Sequence, residues 1–372
     1  MLNHDKFMKE ALRLALRGQG WVSPNPMVGA IVVKNGKITG KGWHRQFGGP
    51  HAEIFALKNS GAVSKGATLY CTLEPCAHSG KTPPCVESLI QAGIKTVVLG
   101  ASDPNPTAGG GAKRLQAAGI EVITGICELE CKRLNAHFFK SVMTGLPLVS
   151  VKWAMTADGK IATACGDSKW VSSDESRSFG HVLRSQHDAI LIGMGTLLAD
   201  GPLLTCRHAT QRNVRQPLRV ILDSQARTPL NAPIWSAKNG GPVTIACSAS
   251  APASRRKALQ KIGADLIICS GIGKGRLPIR EVLSALTRRG VLSVLVEGGS
   301  NVLGSFVDAG LVDRAYVFIA PKILGGSKSM TAVGGKGVNR IADALALQSV
   351  KIQQLGPDIL ISGMVGSWVW NR

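Results

Sequence analysis

One histidine, one glutamate and two cysteines stand close enough in this chain to do chemistry together. His51-Ala52-Glu53 is followed by Pro75-Cys76 and then by Thr82-Pro83-Pro84-Cys85. One imidazole and two thiolates suit a zinc ion, a borderline-soft cation that takes nitrogen and sulfur ligands. Three protein ligands leave the fourth tetrahedral position to water, which separates a catalytic site from a closed structural one. Zinc lowers the pKa of that water towards neutrality. Glu53, two residues past the histidine, then serves as a proton shuttle and is not a ligand. Each residue alone has a plainer reading: His51 in a core, Glu53 on a solvated helix face, Cys76 and Cys85 as buried apolar thiols. The full ligand set with its acid-base partner favours zinc catalysis. His78, between the cysteines, is either a rival ligand or part of a substrate loop.

Zinc-dependent base deaminases carry H-x-E followed by P-C-x-x-C. Here eight residues, Ala77 to Pro84, separate the two cysteines, so this segment has to loop out and return Cys85 to the metal. Pro84 suits the start of a helix over residues 85–92, stopped by Gly93, and a helix N-terminus favours a thiolate. His51 is expected to open a helix over residues 51–59. Residues two apart do not share a mid-helix face, but at a helix start both His51 and Glu53 can lean towards the open end. A strand over residues 67–73 delivers Glu74-Pro75-Cys76.

Around this set the front half reads as an α/β/α unit. Residues 5–17 place Phe7, Met8, Ala11, Leu14 and Ala15 on one helical face. Asn35-Gly36 makes a hairpin turn between strands 30–34 and 37–42. Asn25, held between Pro24 and Pro26, either hydrogen-bonds a heterocycle edge or merely makes a turn. Strands over 96–100 and 121–124, a helix over 113–118 and a closing helix over 128–143 complete the unit. Gly145-Leu146-Pro147 marks the boundary, which gives domains of 1–146 and 147–372.

The second half alternates strands and helices, as a largely parallel sheet does. A strand over 148–155 leads into the turn Thr156-Ala157-Asp158-Gly159-Lys160. Later, a strand over 291–296 runs into Glu297-Gly298-Gly299-Ser300 and a helix over 301–309. Backbone N–H groups and the helix dipole make this an anion cradle, with Gly299 admitting the ligand and Ser300 as the cap; a bare tight turn would look similar. Strands over 315–320, 350–355 and 358–364 are expected as antiparallel edges. Trp170 either stacks on a ligand ring or sits in the core. Arg184 and Arg207 are phosphate forks or solvated charges. Neither the dinucleotide fingerprint nor a Walker A motif occurs, and Gly271 to Gly275 has the wrong spacing and reads as a linker.

Composition narrows the class of protein. Of 372 residues, 44% are hydrophobic and 18% charged, which describes a globular chain of two domains. No run of eighteen apolar residues marks a membrane span. Nine scattered cysteines, and an N-terminus that opens directly into a helix, point to a reducing cytoplasm. The net charge of +21 is shared by both halves with no dense basic tract, which fits small phosphorylated ligands at least as well as a nucleic acid.

Taken in order, these motifs resemble the bifunctional deaminase/reductase family of riboflavin biosynthesis. His51-Ala52-Glu53, Thr72 to Cys76 and Gly80 to Cys85 are similar to its deaminase half. Lys152 to Lys160, Trp170 to Ser173, Leu198-Ala199-Asp200 and Val296 to Gly299 are similar to its reductase half. The resemblance covers essentially the whole chain and is least marked from Ala232 to Arg276. It implies a cytidine-deaminase-like domain followed by a dihydrofolate-reductase-like α/β domain, with zinc and NADPH as cofactors. It further implies deamination of 2,5-diamino-6-ribosylamino-4(3H)-pyrimidinone 5′-phosphate, then reduction of the ribosyl side chain to ribityl. Ala154, Trp170, Thr196, Asp200, Ser224 and the run Gly299, Ser300, Asn301, Val302, Leu303, Gly304 and Ser305 would contact NADPH. Ser168, Arg184, Leu204, Arg207 and Glu297 would contact the substrate. Expected partners are therefore small molecules and a second copy in a homo-oligomer, with no nucleic acid and no membrane. The rival readings are a tRNA-type zinc deaminase with an accessory domain, and a structural-zinc nucleic-acid-binding module closed by a fourth ligand such as His78.

Overall fold

The structure, a computed structural model, describes residues 3–78, 84–207, 215–270 and 276–366. The chain forms two compact units, one up to Gly145 and one from Leu146.

The first unit is built on strands β1 (Gly29–Lys34), β2 (Lys37–Trp43), β3 (Thr68–Leu73), β4 (Thr96–Ala101) and β5 (Glu121–Ile123), in the order β2-β1-β3-β4-β5. Asn35 and Gly36, at φ 50 and 74, make the β1–β2 hairpin in the left-handed region that such two-residue turns demand. β3, β4 and β5 run parallel, and β1 is antiparallel to both its neighbours. Helices α1 (His4–Ala15), α2 (Ala52–Ser60), α3 (Cys85–Gln91), α4 (Gly111–Ala117), α5 (Glu128–Leu134) and α6 (Ala136–Thr144) complete the unit. Period-two alternation sorts the faces. Ala30, Val32, Leu69 and Cys71 pack with Ala52, Ala56, Val86, Leu89 and Leu115. On the opposite face the Tyr70 ring lies 5.2 Å from Phe7 of α1.

The expected closing helix over 128–143 is two helices, broken at Asn135. Its fully buried carboxamide accepts from the Met27 N–H at 2.7 Å and donates to the Met27 carbonyl at 2.8 Å. The hydrophobic period runs on through the break, so only this distant partner explains it. The bracket also anchors the proline-flanked loop that carries Asn25.

The second unit contains β6 (Leu148–Thr156), β7 (Lys160–Ala162), β8 (Ala189–Gly193), β9 (Leu218–Leu222), β10 (Val243–Ser248), β11 (Asp265–Cys269), β12 (Ser293–Gly298), β13 (Arg314–Ala320), β14 (Met330–Thr331), β15 (Leu347–Leu355) and β16 (Asp358–Val365). Nine of these form one sheet in the order β11-β10-β9-β8-β12-β6-β13-β16-β15, while β7 and β14 pair separately. Helices are α7 (Asp174–Ser185), α8 (Met194–Asp200), α9 (Ala253–Lys261), α10 (Ile279–Arg288) and α11 (Ser300–Asp308). β13 was expected as an antiparallel edge but lies parallel to β6, and only β15 and β16 are antiparallel additions. α10 and α11 bury Val282, Leu283, Leu286, Leu303 and Phe306 against one face. Met194, Leu197 and Leu259 of α8 and α9 pack on the other. No helix among the described residues is long and apolar enough to cross a membrane.

Candidate active sites

Two close approaches of backbone to backbone build the first site. A Cβ on Gly42 of β2 would fall 2.1 Å from the Ala52 carbonyl, so only glycine lets the first turn of α2 lie against the sheet. A Cβ on Gly111 would fall 1.9 Å from the Pro75 carbonyl, so the start of α4 presses directly on the loop of Cys76. Glu74 secures that loop by accepting the N–H groups of Asp103 at 3.1 Å and Ala112 at 2.9 Å.

His51 is the N-cap of α2, in extended conformation, and Glu53 lies in its first turn. Pro84 caps α3 and Cys85 is its first residue. The ligand atoms of His51, Cys76 and Cys85 all lie within 4.8 Å of one another. His51 Nδ1 is 3.2 Å from the Cys85 sulfur and 3.6 Å from the Cys76 sulfur. Tetrahedral zinc with ordinary Zn–N and Zn–S bonds sets such atoms about 3.6 Å apart. The three side chains thus fit the ion. The Cys85 N–H also donates to the Cys76 sulfur, at 3.4 Å. A hydrogen bond from the Cys85 thiol, then the His51 imidazole, hold Cys76 well below the usual thiol range. His78 is exposed and outside this group, so among the described residues the candidate ligands are three. Residues 79–83, the heart of the expected excursion, lie outside the described residues.

Glu53 is 3% exposed, and its Oε2 has no hydrogen-bond partner. Burial raises its pKa, against a smaller opposing pull from His51. A buried carboxylate oxygen left free beside a cation site is placed to handle a proton.

Two residues that sequence reasoning did not single out line this site. His44 is 2% exposed, and its ring lies edge-on to His51 with centroids 5.4 Å apart. Its Nδ1 sits 3.0 Å from the Pro50 carbonyl, which can only accept. Nε2 therefore accepts from the Asn25 amide N–H at 3.1 Å. Asp103, just past β4, has its pKa raised to about 6 by burial. Its place in Asp103-Pro104-Asn105-Pro106, directly after a parallel strand, was the available signal.

In the second unit the sequence-predicted cofactor residues other than Trp170 lie at or near the carboxyl ends of parallel strands, where ligands of such sheets bind. Ala154 lies in β6, Thr196 in the first turn of α8 after β8, Asp200 at the end of α8, and Ser224 just past β9. The Gly299–Ser305 run follows β12, whose register with β8 shifts between Val296 and Gly298. Gly298 has φ 136, open only to glycine, and the Gly299 N–H donates to Thr196 Oγ1 at 2.9 Å. A Cβ on Gly299 would come 3.1 Å from that hydroxyl. The result is a backbone-lined cradle at the N-terminus of a nine-residue helix, which fits a phosphate of a dinucleotide. Gly299 caps α11 and Ser300 is already helical without a capping side-chain bond, which corrects the expected cap.

Among the substrate residues, Arg184 is no free fork. Its Nε and one terminal nitrogen grip Glu297 at 2.6 and 2.7 Å, and the other terminal nitrogen donates to the Thr205 carbonyl at 3.1 Å. Burial alone would raise the Glu297 pKa, but the Arg184 guanidinium outweighs it and holds the carboxyl at about 2. Lys152, which opens the Lys152 to Lys160 motif but has no contact assigned from the sequence, stands over the Phe318 ring at 5.4 Å, and burial lowers its pKa against the pull of Glu297. Leu204 is 2% exposed within the core, so its backbone, at φ 52, is what it can offer a ligand. Arg207 is exposed and Ser168 half-buried. Trp170 is 63% exposed, not a core residue, with the Arg177 guanidinium 4.5 Å from its ring.

A three-ligand zinc cradle with a buried glutamate, joined to a parallel sheet with a phosphate cradle at its carboxyl edge, defines a zinc deaminase unit fused to a reductase unit. The cytidine and deoxycytidylate deaminase zinc-binding region matches residues 1–101, and the RibD C-terminal domain matches residues 147–361. The riboflavin biosynthesis protein RibD of Actinobacillus pleuropneumoniae is 41% identical over 361 residues, 96% of this chain and 94% of that protein. That of Aquifex aeolicus is 42% identical over 356 residues, covering 95% and 96%. A solved RibD of Acinetobacter baumannii superposes with a TM-score of 0.88 at 35% identity, covering 98% of this chain and 99% of that one. The diaminohydroxyphosphoribosylaminopyrimidine deaminase/5-amino-6-(5-phosphoribosylamino)uracil reductase of Thermotoga maritima gives 0.85 at 37% identity, covering 98% and 99%. This chain belongs to the RibD family of riboflavin biosynthesis and is a deaminase and reductase in one polypeptide.

Proposed function

We propose that residues 1–146 deaminate 2,5-diamino-6-ribosylamino-4(3H)-pyrimidinone 5′-phosphate and residues 147–372 reduce the product with NADPH to 5-amino-6-ribitylamino-uracil 5′-phosphate. The convergence of His51, Cys76 and Cys85 beside the orphaned Glu53 oxygen carries this reading. His51, Cys76 and Cys85 would hold zinc, which when bound would supply an acidified water at neutral pH. Glu53 Oε2 accepts a proton from the attacking water and returns protons to the ring nitrogen and the departing amine, so that the ring carbon keeps the water oxygen as a carbonyl and the amine leaves as ammonia. His44 orients Asn25, whose free oxygen accepts from the heterocycle.

In the second unit bound NADPH would supply the hydride for C1′ of the opened or imine form of the sugar. Ala154, Trp170, Thr196, Asp200, Ser224 and Gly299 to Ser305 hold the cofactor. Ser168, the backbone of Leu204, Arg207 and the Arg184–Glu297 pair hold the substrate, the pair acting as one unit because neither charge is free. A nucleic-acid deaminase would leave this half without work.

Incubation of the zinc-loaded protein with the diamino substrate tests the reading. Ammonia should appear without NADPH, and NADPH should be consumed only after ammonia has formed. No ammonia, or NADPH oxidation by the undeaminated substrate, would refute it.

The chain works in the cytoplasm as a homo-oligomer. β15 is one of the two outer strands of the nine-stranded sheet, and its Val350 and Ile352 are 50% and 72% exposed, an edge that favours a further partner. Light scattering should give a multiple of the single-chain mass, and Ile352→Lys should lower it. A monomeric wild type would exclude self-association.

A further inference from the structure

Beside the segment that carries Ser168 and Trp170, the turn after β6 and the strap after β13 are laced together by polar links. Each oxygen of the Asp158 carboxylate takes one N–H of the strap: Leu324 donates to Oδ1 at 3.0 Å and Gly325 to Oδ2 at 2.7 Å. The Thr156 hydroxyl donates to Oδ1 at 2.6 Å and so aims the carboxylate. The Ala157 N–H adds a bond to the Lys322 carbonyl at 2.8 Å, and further along the strap β14 pairs with β7. From the strap, Lys322 then extends its ammonium to the Trp170 carbonyl, at 2.7 Å.

Hydrophobic burial does not hold the first part of this strap, residues 322–325, in place. Ile323 is 84% exposed and Leu324 40%. The charge-assisted bonds to Asp158 are therefore the main local restraint, and bonds of this kind are about twice as strong as neutral ones. Trp170 is in the same position: its ring is open to solvent, and it is fixed by Lys322 at its carbonyl and by Arg177 at its face. A ring kept exposed by polar braces is presented to something.

We propose that Asp158 and Lys322 are positioning residues of the reductase site: Asp158 fixes the strap, and Lys322, carried by the strap, fixes the Trp170 segment for the cofactor. This rests on the reading that Ser168 and Trp170 contact the reductase ligands. Asp158 acts through the strap, whose N–H groups its carboxylate holds.

Steady-state kinetics of the full-length, zinc-loaded protein test this, with Asp158→Asn, Lys322→Met, Lys322→Arg and Trp170→Ala compared for NADPH oxidation, ammonia release and melting temperature. An asparagine can accept on only one atom, so one strap N–H is lost. Asp158→Asn and Lys322→Met should each raise KM for NADPH about fivefold with kcat within about twofold, because bound geometry is recovered once the cofactor saturates. Lys322→Arg, which keeps a donor, should restore the KM, and ammonia release should be unchanged throughout. A purely structural role would instead lower the active fraction, and so kcat, at constant KM; that result overturns the proposal. If Trp170→Ala impairs reduction while Asp158→Asn and Lys322→Met leave KM unchanged, the clamp alone is refuted. Wild-type kinetics for Trp170→Ala would refute the placement of Trp170 at the site and the clamp with it. Should Asp158→Asn fail to fold, Lys322→Met, at an exposed side chain, decides the matter.

Discussion

Glu53→Gln abolishes ammonia release, by about 10²- to 10⁴-fold in kcat, while reduction of supplied deaminated intermediate by NADPH continues at the wild-type rate. The substitution keeps the shape of the side chain and removes the group that takes and returns protons. Because Glu53 is 3% exposed with one oxygen unpartnered, a neutral amide costs the fold little, and burial already works against its charge. His51, Cys76 and Cys85 are untouched, so zinc content measured on the variant should match wild type. Equal loss of both activities in a folded, zinc-loaded variant would contradict two independent sites.

Glu297→Ala produces the largest loss of stability expected in the second unit, about 3–5 kcal/mol, because it strands Arg184 without its carboxylate in a site where both are largely buried. For a unit of this size that corresponds to a fall of roughly 10 °C in the melting temperature of the second unit. Lys152 loses the same counter-charge, so NADPH oxidation should vanish while ammonia release persists. The pH dependence follows from the sign of the shift. Glu297 titrates at about 2 in the folded chain against an ordinary value of 4.5. Its contribution is therefore fully present above pH 4.5 and disappears as pH falls from there through 2. Denaturant titrations of the wild type across that window should show stability declining with acid, and the Glu297→Ala variant should lack that part of the slope. A variant as stable as wild type at pH 7 would show that the pair is solvated in solution.

The zinc site was legible in the sequence because ligand chemistry depends on residue identity at short spacing. A histidine, a glutamate two residues on and two proline-flanked cysteines can serve few other purposes together, and the strand and helix signals around them placed each at an element end. The glycine-lined helix start was legible in the same way, because Gly298 and Gly299 directly follow an apolar strand. The parallel sheet itself was readable from the alternation of strands and helices.

What the tertiary structure alone decided lies in partnerships across long stretches of chain. Arg184 and Glu297 are 113 residues apart, and nothing local says that the guanidinium points at a carboxylate rather than at a phosphate. Asn135 interrupts a helix whose hydrophobic period continues unbroken, because a loop 108 residues away needs both ends of its carboxamide. The direction of β13 depends on which strand it lies beside, and hydropathy reads burial without reading direction. His44 and Lys152 carry no spacing signal either, and they become part of a site only where folding sets them against His51 and Glu297. Sequence alone determined which chemistries the chain holds; the packing of residues remote in sequence determined which charges are spent on each other and which remain for a ligand, because a side chain's partner is set by where the backbone brings it and not by its neighbours along the chain.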